Sequence, residues 1–260
     1  MQKYRNIILG LVLVAAGAYF LLVNFGLAPE LNNAGWVVVF GAISLLFLFV
    51  YVSAGWREWG WLFPVTIGAS LAIIGQTVDI SLRGEAAGSI FLWSIALPFW
   101  VARFAKRGNW WAVIPAGVLT VIGAIPIITT TDREDLIPVV IMFGLALVFA
   151  LVYIQRRDHW WPIIPAGVLT TIGAIILLAQ SELPGNWEGQ IIGAVLFGGV
   201  ALTFALLYWI ARADAGWARY PAIALALMAA FVFITGEAGQ LFFPILLIGA
   251  GVWILWRRNR

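Results

Sequence analysis

Residues 110–127 read WWAVIPAGVLTVIGAIPI, and residues 160–177 read WWPIIPAGVLTTIGAIIL. The two stretches agree at 13 of 18 positions with an offset of 50. Each opens on a tryptophan pair, carries a proline at its sixth position and contains no charged residue. A helix rises about 1.5 Å per residue and the hydrocarbon core of a bilayer is ~30 Å thick, so about 20 apolar residues cross it. The repeated stretch reads as one transmembrane helix used twice.

The rest of the chain has the same character. Of its 260 residues, 63% are hydrophobic and only 10% are charged, and the mean hydropathy is +1.00. A soluble domain averages about 45–50% apolar and roughly 25% charged residues, which excludes an ordinary soluble enzyme. Disordered chains have the opposite balance. Charge-free windows run over 6–29, 31–56, 59–78, 86–102, 108–131, 136–155, 160–181, 189–211, 220–236 and 238–256. A strand barrel would instead show segments of about 10 alternating residues. The expected fold is all-α and integral to the membrane, with about ten transmembrane helices. Helix 1 begins like a signal peptide, with Lys3 and Arg5 before an apolar run. That run exceeds the usual h-region length, so the helix is expected to be retained.

The charges set an orientation. The two ends and the gaps at 57–58, 103–107, 156–159 and 212–219 hold 13 of the 15 Lys and Arg residues, and the other gaps hold only Arg83 and Arg133. Nine of the twelve acids lie on that second side. In short loops Lys and Arg mark the cytoplasmic side. A plasma-membrane protein with both termini in the cytoplasm is expected. The net charge of +3 is accounted for by these loops, so no nucleic-acid partner is implied.

Related openings occur at 59–75 (WGWLFPVTIGASLAIIG) and 217–235 (WARYPAIALALMAAFVFIT), and the spans between close on an aromatic followed by basic residues. A period near 50 signals a repeat architecture. The unit is a two-helix hairpin, with copies at approximately 1–58, 59–109, 110–159, 160–216 and 217–260. Within it, Pro115 and Pro165 fall in first helical turns, where a missing N–H costs little. Gly117, Gly123, Gly167 and Gly173 permit close helix approach. Thr120 and Thr170 bond back to the preceding turn or across to a neighbour. Pro98, Pro126 and Pro244 lie deeper in their spans.

The predicted spans hold no Asp, Glu, Lys, Arg or His. Ionisable groups inside the membrane are the usual markers of proton relays and substrate sites. Their absence from the spans points away from ion-coupled transport and from catalysis, which needs positioned acids, bases or metals. With no Cys and a single His, no metal site and no cofactor are expected. The loop Thr129–Asp135 offers oxygen ligands to a divalent cation, but it reads better as a solvated loop beside a helix N-terminus that favours acids. The densest polar cluster is Arg156–Arg157–Asp158–His159–Trp160–Trp161. With Arg107, Trp110 and Trp111 it offers arginine and an aromatic platform to an anionic lipid headgroup. The competing reading is interface anchoring by Trp together with inside-positive charge, a pattern every such loop shows.

At the N-terminus, Arg5–Asn6–Ile7–Ile8–Leu9–Gly10, Gly17, Leu21–Leu22, Asn24, Gly26–Leu27 and Trp36 resemble the membrane hairpin of LiaI/LiaF-type envelope-stress proteins over roughly the first 50 residues. The resemblance implies a non-enzymatic membrane protein that senses or modulates envelope state beside a sensor kinase. This chain departs from that pattern in its five hairpins and in lacking a predicted soluble domain. The expected function is a membrane scaffold, accessory subunit or envelope sensor acting through helix and lipid contacts, with a membrane-protein partner or a second copy. The alternative is a transporter or channel for a neutral or lipidic small molecule, with a cavity lined by Ser94, Thr120 and Thr170.

Overall fold

The computed structural model describes residues 2–56, 58–77, 84–181, 188–235, 244–245 and 247–249. Among them every regular element is helical. The helices are α1 (Gln2–Asn24), α2 (Asn33–Ser53), α3 (Leu62–Thr77), α4 (Gly84–Ala105), α5 (Val113–Ile128), α6 (Ile137–Gln155), α7 (Ile163–Ala179), α8 (Glu188–Ile210) and α9 (Arg219–Thr235). Seven helical segments are long and apolar enough to cross a bilayer, with 18 to 23 residues each. The protein is therefore an all-helical chain of membrane type. The window at 238–256 expected to form a tenth span lies mostly outside the described residues, as do Arg57, Asp79, Arg83, Glu182, Glu237, Arg257, Arg258 and Arg260.

Window length was a poor guide to helix length. The two shortest windows, 86–102 and 220–236, extend into segments of 20 residues at Ala86–Ala105 and Gly216–Thr235. Windows 59–78 and 108–131 give α-helices of 16 residues, α3 and α5, and window 160–181 likewise contracts to 17, α7. The cause lies at its start. Trp160–Trp161–Pro162 form a turn rather than helix, so α7 begins at Ile163. At ~26 Å it is shorter than the hydrocarbon core. Short 3-10 turns likewise precede α3, α5, α6 and α9. Pro115 and Pro165 each fall at the third residue of their helices. α2 starts on Asn32, whose side chain accepts a hydrogen bond from the Gly35 N–H at 2.8 Å. It ends in a reversal at Gly55 (φ 71°), a left-handed position that glycine tolerates and L side chains resist.

From α2 to α9 the helices stand in single file. Among the described residues each packs substantially only against its neighbours in the chain. Between 11% and 28% of the residues in each span are buried, so most side chains face outward on one side of the row or the other. Packing is more extensive in α2/α3, α4/α5, α6/α7 and α8/α9 than in the alternate pairs. The tighter partners thus straddle the boundaries of the sequence repeats.

Small residues set the approach in the alternate pairs. A Cβ on Gly117 of α5 would collide with Val148 of α6, and one on Gly144 of α6 would lie 2.7 Å from Val121 of α5. Between α7 and α8 the same reciprocal notch is built from Gly167 against Thr203 and Gly199 against Thr171. Replacing Val by Thr keeps the shape, and both hydroxyls donate back to their own helix, to Gly199 O and Gly167 O at 2.9 Å. Neither needs a partner across the interface.

Candidate functional site

The segments 54–56, 58–61, 106–112, 156–162 and 211–218 form one edge of the row, tied together by aromatic rings. Trp59 meets Trp111 at 6.0 Å, Trp110 meets His159 at 5.2 Å, and Trp160 meets Trp217 at 6.0 Å. Each contact joins the starts of helices two apart in the chain. Arg103 at the end of α4 donates to Gln155 Oε1 at the end of α6, bridging the same gap. Arg103, Lys106, Arg107, Arg156, Arg157, Arg212 and Arg219 all lie along this edge. On the opposite edge, Gln180 Nε2 donates to Asp135 O at 2.6 Å, and Arg133 pairs with Asp135 at 3.4 Å. In the loop considered for a cation, the Thr129, Thr130 and Thr131 hydroxyls donate back to Pro126, Ile127 and Ile128 carbonyls. Among the described residues no group of three Asp, Glu, His or Cys is placed to hold a metal.

The residues expected to meet an anionic headgroup do not form one site. Arg156 lies over the Trp110 ring at 5.9 Å, beside His159. Its Nε and Nη2 donate to both Asp158 carboxylate oxygens, at 3.0 and 2.9 Å. That bidentate pair holds the Asp158 carboxyl far below the usual carboxylate range and raises the Arg156 guanidinium. Two of the strongest donors of Arg156 are thereby occupied, and its charge is matched locally. His159 Nδ1 lies 3.0 Å from Asp158 Oδ2, within ion-pair distance, but its direction does not meet hydrogen-bond geometry. Trp111 packs against Trp59 and Phe99, Trp161 against Phe149, and Trp160 against Trp217. Arg107 and Arg157 are exposed.

A second basic-aromatic cluster, at the turn between α8 and α9, was not singled out from the sequence. Tyr208, Arg212, Gly216, Trp217, Arg219 and Tyr220 line a pocket of about 420 Å³. Arg212 lies over the Tyr208 ring at 5.4 Å, and Arg219 over Tyr220 at 4.7 Å. Arg219 Nη2 also approaches the Tyr220 hydroxyl at 2.7 Å. Neither arginine has a carboxylate partner among the described residues, unlike Arg156. The signal in the sequence was two arginines seven apart around a Trp, with Tyr residues just outside them.

The threonine pair behaves differently in its two copies. Thr120 donates to Ala116 O at 2.7 Å and accepts from Trp100 Nε1 at 3.1 Å, while Trp93 Nε1 donates to Thr120 O at 3.1 Å. Thr170 donates to Ala166 O at 2.8 Å. It lines an open groove of about 570 Å³ along α7, walled by α6 and α8. Ser94 donates to Phe91 O at 2.7 Å. Of the three hydroxyls expected in one cavity, only Thr170 lines this groove.

No family model, no curated protein and no solved structure has a significant match to the chain.

Proposed function

We propose that the chain is a non-enzymatic multi-pass protein of the plasma membrane, a scaffold, accessory subunit or envelope-state sensor. In this reading it has ten spans in five tandem hairpins and both termini in the cytoplasm. It works through helix–helix and lipid contacts and binds no cofactor or nucleic acid. The observation that carries the reading is the single-file row. An array one helix thick presents two long apolar faces, and faces of that kind serve lipid and other helices. The LiaI/LiaF resemblance of the first 50 residues supports the sensor form of it. The basic edge faces anionic lipid, with Arg212 and Arg219 as the main contacts, joined by Arg107 and Arg157. Gentle solubilisation from the native membrane after cross-linking is expected to recover a second copy or a membrane-protein partner. A monodisperse monomer without a partner defeats the scaffold reading.

A second reading, a transporter for a neutral or lipidic molecule, is favoured by the groove that Thr170 lines. It predicts exchange of a neutral lipid between the leaflets of proteoliposomes. No exchange above protein-free vesicles rejects it.

A further inference from the structure

We propose that the groove along α7 is a resident site for one acyl chain of an anionic phospholipid from the leaflet on the basic edge. The inference rests on the membrane reading above and adds a ligand class to it.

The groove follows from smaller side chains at equivalent positions of neighbouring helices. In α4 and α5, Trp93 covers Gly123, whose Cβ would lie 2.5 Å from the indole. In α6 and α7, Phe143 covers Gly173 in the same way, at 2.9 Å. Both residues of the second pair lie 50 positions after those of the first, so the two helix pairs pack in the same register. In that register Thr120 corresponds to Thr170 and Trp100 to Ala150. Trp100 lies against α5 and donates to Thr120. Ala150, a methyl group in the place of an indole, leaves the equivalent space beside Thr170 open, and both residues line the groove.

The groove takes hydrocarbon. Its lining is aliphatic apart from Tyr153 and three threonines, and Thr170, Thr171 and Thr203 donate to their own helices' carbonyls. A volume of about 570 Å³ lies within the range of small-molecule sites, roughly 300–1,000 Å³.

Its length separates a lipid chain from a partner helix. Along α7 the lining runs from Ile163 to Ala174 and along α8 from Val195 to Ile210, rises of ~16 and ~22 Å. Both start at the basic-edge end and fall short of the ~30 Å core, whereas a packed transmembrane helix would follow the full depth. At the end near the basic edge the groove is bounded by Tyr153, Ile154, Ile163 and Ile210. Arg157 follows Ile154 by three residues and is exposed. Unlike Arg156, it has no carboxylate partner among the described residues, so it is available to a phosphate at headgroup depth.

The test is native mass spectrometry of the full chain in mild detergent, after incubation with equal amounts of phosphatidylglycerol and phosphatidylcholine. The wild type is expected to retain a single phosphatidylglycerol. Ala150→Trp fills the groove as Trp100 fills its counterpart, and is expected to abolish retention. Trp100→Ala opens the equivalent space on α5 and is expected to add a second retained lipid, a gain that misfolding does not produce. Arg157→Gln is expected to weaken phosphatidylglycerol retention about fivefold, the effect of one basic residue at an anionic surface. Equal retention by wild type and Ala150→Trp, or no gain in Trp100→Ala, overturns the site. Equal retention of the two lipids by the wild type overturns its anionic assignment. None of these outcomes bears on whether the chain recovers a partner, so the scaffold reading stands or falls separately.

Discussion

The helices α5 and α7 open with stretches that agree at 13 of 18 positions, yet their surroundings differ. Thr120 on α5 stays exposed but is hydrogen-bonded by Trp93 and Trp100 from α4. The corresponding face of α7 is lined by Ala150 and remains an open groove. The helices themselves do not account for this. The difference lies in the preceding helix of each pair, where Trp93 and Trp100 in one copy are Phe143 and Ala150 in the other. In a row one helix thick, a neighbour's side chain determines whether a duplicated surface becomes packing or a site.

The largest way to break this comparison is Trp100→Ala. It removes a partly buried indole and its hydrogen bond, and is expected to cost about 2–3 kcal/mol, somewhat below the loss for a fully buried Trp. Thermal unfolding in detergent reads it out. An unchanged melting temperature would mean that Trp100 does not brace α5. Next in size is the α7/α8 notch. Gly167→Ala forces a methyl group into Thr203 and is expected to cost about 2 kcal/mol through overpacking. Adding Thr203→Ala is expected to recover much of that loss, and Gly117→Ala with Val148→Ala should behave alike at α5/α6. Failure of either rescue would show that the two notches do not share one packing logic.

A smaller effect separates the two threonines. Thr120→Val leaves the Trp100 N–H without its acceptor and is expected to cost about 1 kcal/mol. Thr170→Val removes only a bond within its own helix and is expected to stay within about 0.5 kcal/mol. Equal melting shifts would erase the distinction between the copy bonded by tryptophan and the open one. The smallest change in stability is expected for Asp158→Asn at the exposed turn before α7. It frees Arg156 from its bidentate partner and should strengthen binding of anionic vesicles to nanodisc-embedded protein. Unchanged binding would mean that the Arg156–Asp158 pair does not limit this part of the basic edge.

Much of this architecture was legible in the residues. Charge-free windows located the helices, and the clustering of Lys and Arg foretold the basic edge. The glycines singled out for close approach, Gly117, Gly123, Gly167 and Gly173, all meet a neighbouring side chain. The back-bonding of Thr120 and Thr170 was foreseen as well. The short α7 was not, because a charge-free window does not register a Trp–Trp–Pro turn at its start. Which of the headgroup residues lie together was not legible, because adjacency in sequence is not adjacency in space. Trp110 and Trp111 face different partners, and Asp158, counted within the polar run, occupies Arg156. The pair Arg212 and Arg219 was missed because each sits at the end of a different helix, and only the turn between α8 and α9 brings both beside Trp217.

The sequence by itself determined the solvent. An apolar chain whose few charges fall between long uncharged runs buries most of its surface only in a bilayer, and the backbone then satisfies its hydrogen bonds internally as helices. It also determined the notches, because a glycine opposite a β-branched residue fixes local spacing wherever the two helices meet. Which helices meet was decided by the tertiary structure. Hydropathy carries no preference between a closed bundle and a row, since lipid tails are as apolar as a neighbouring helix. The row follows from which side chains interlock, and it leaves Ala150 facing open space where Trp100, fifty residues earlier, faces Thr120.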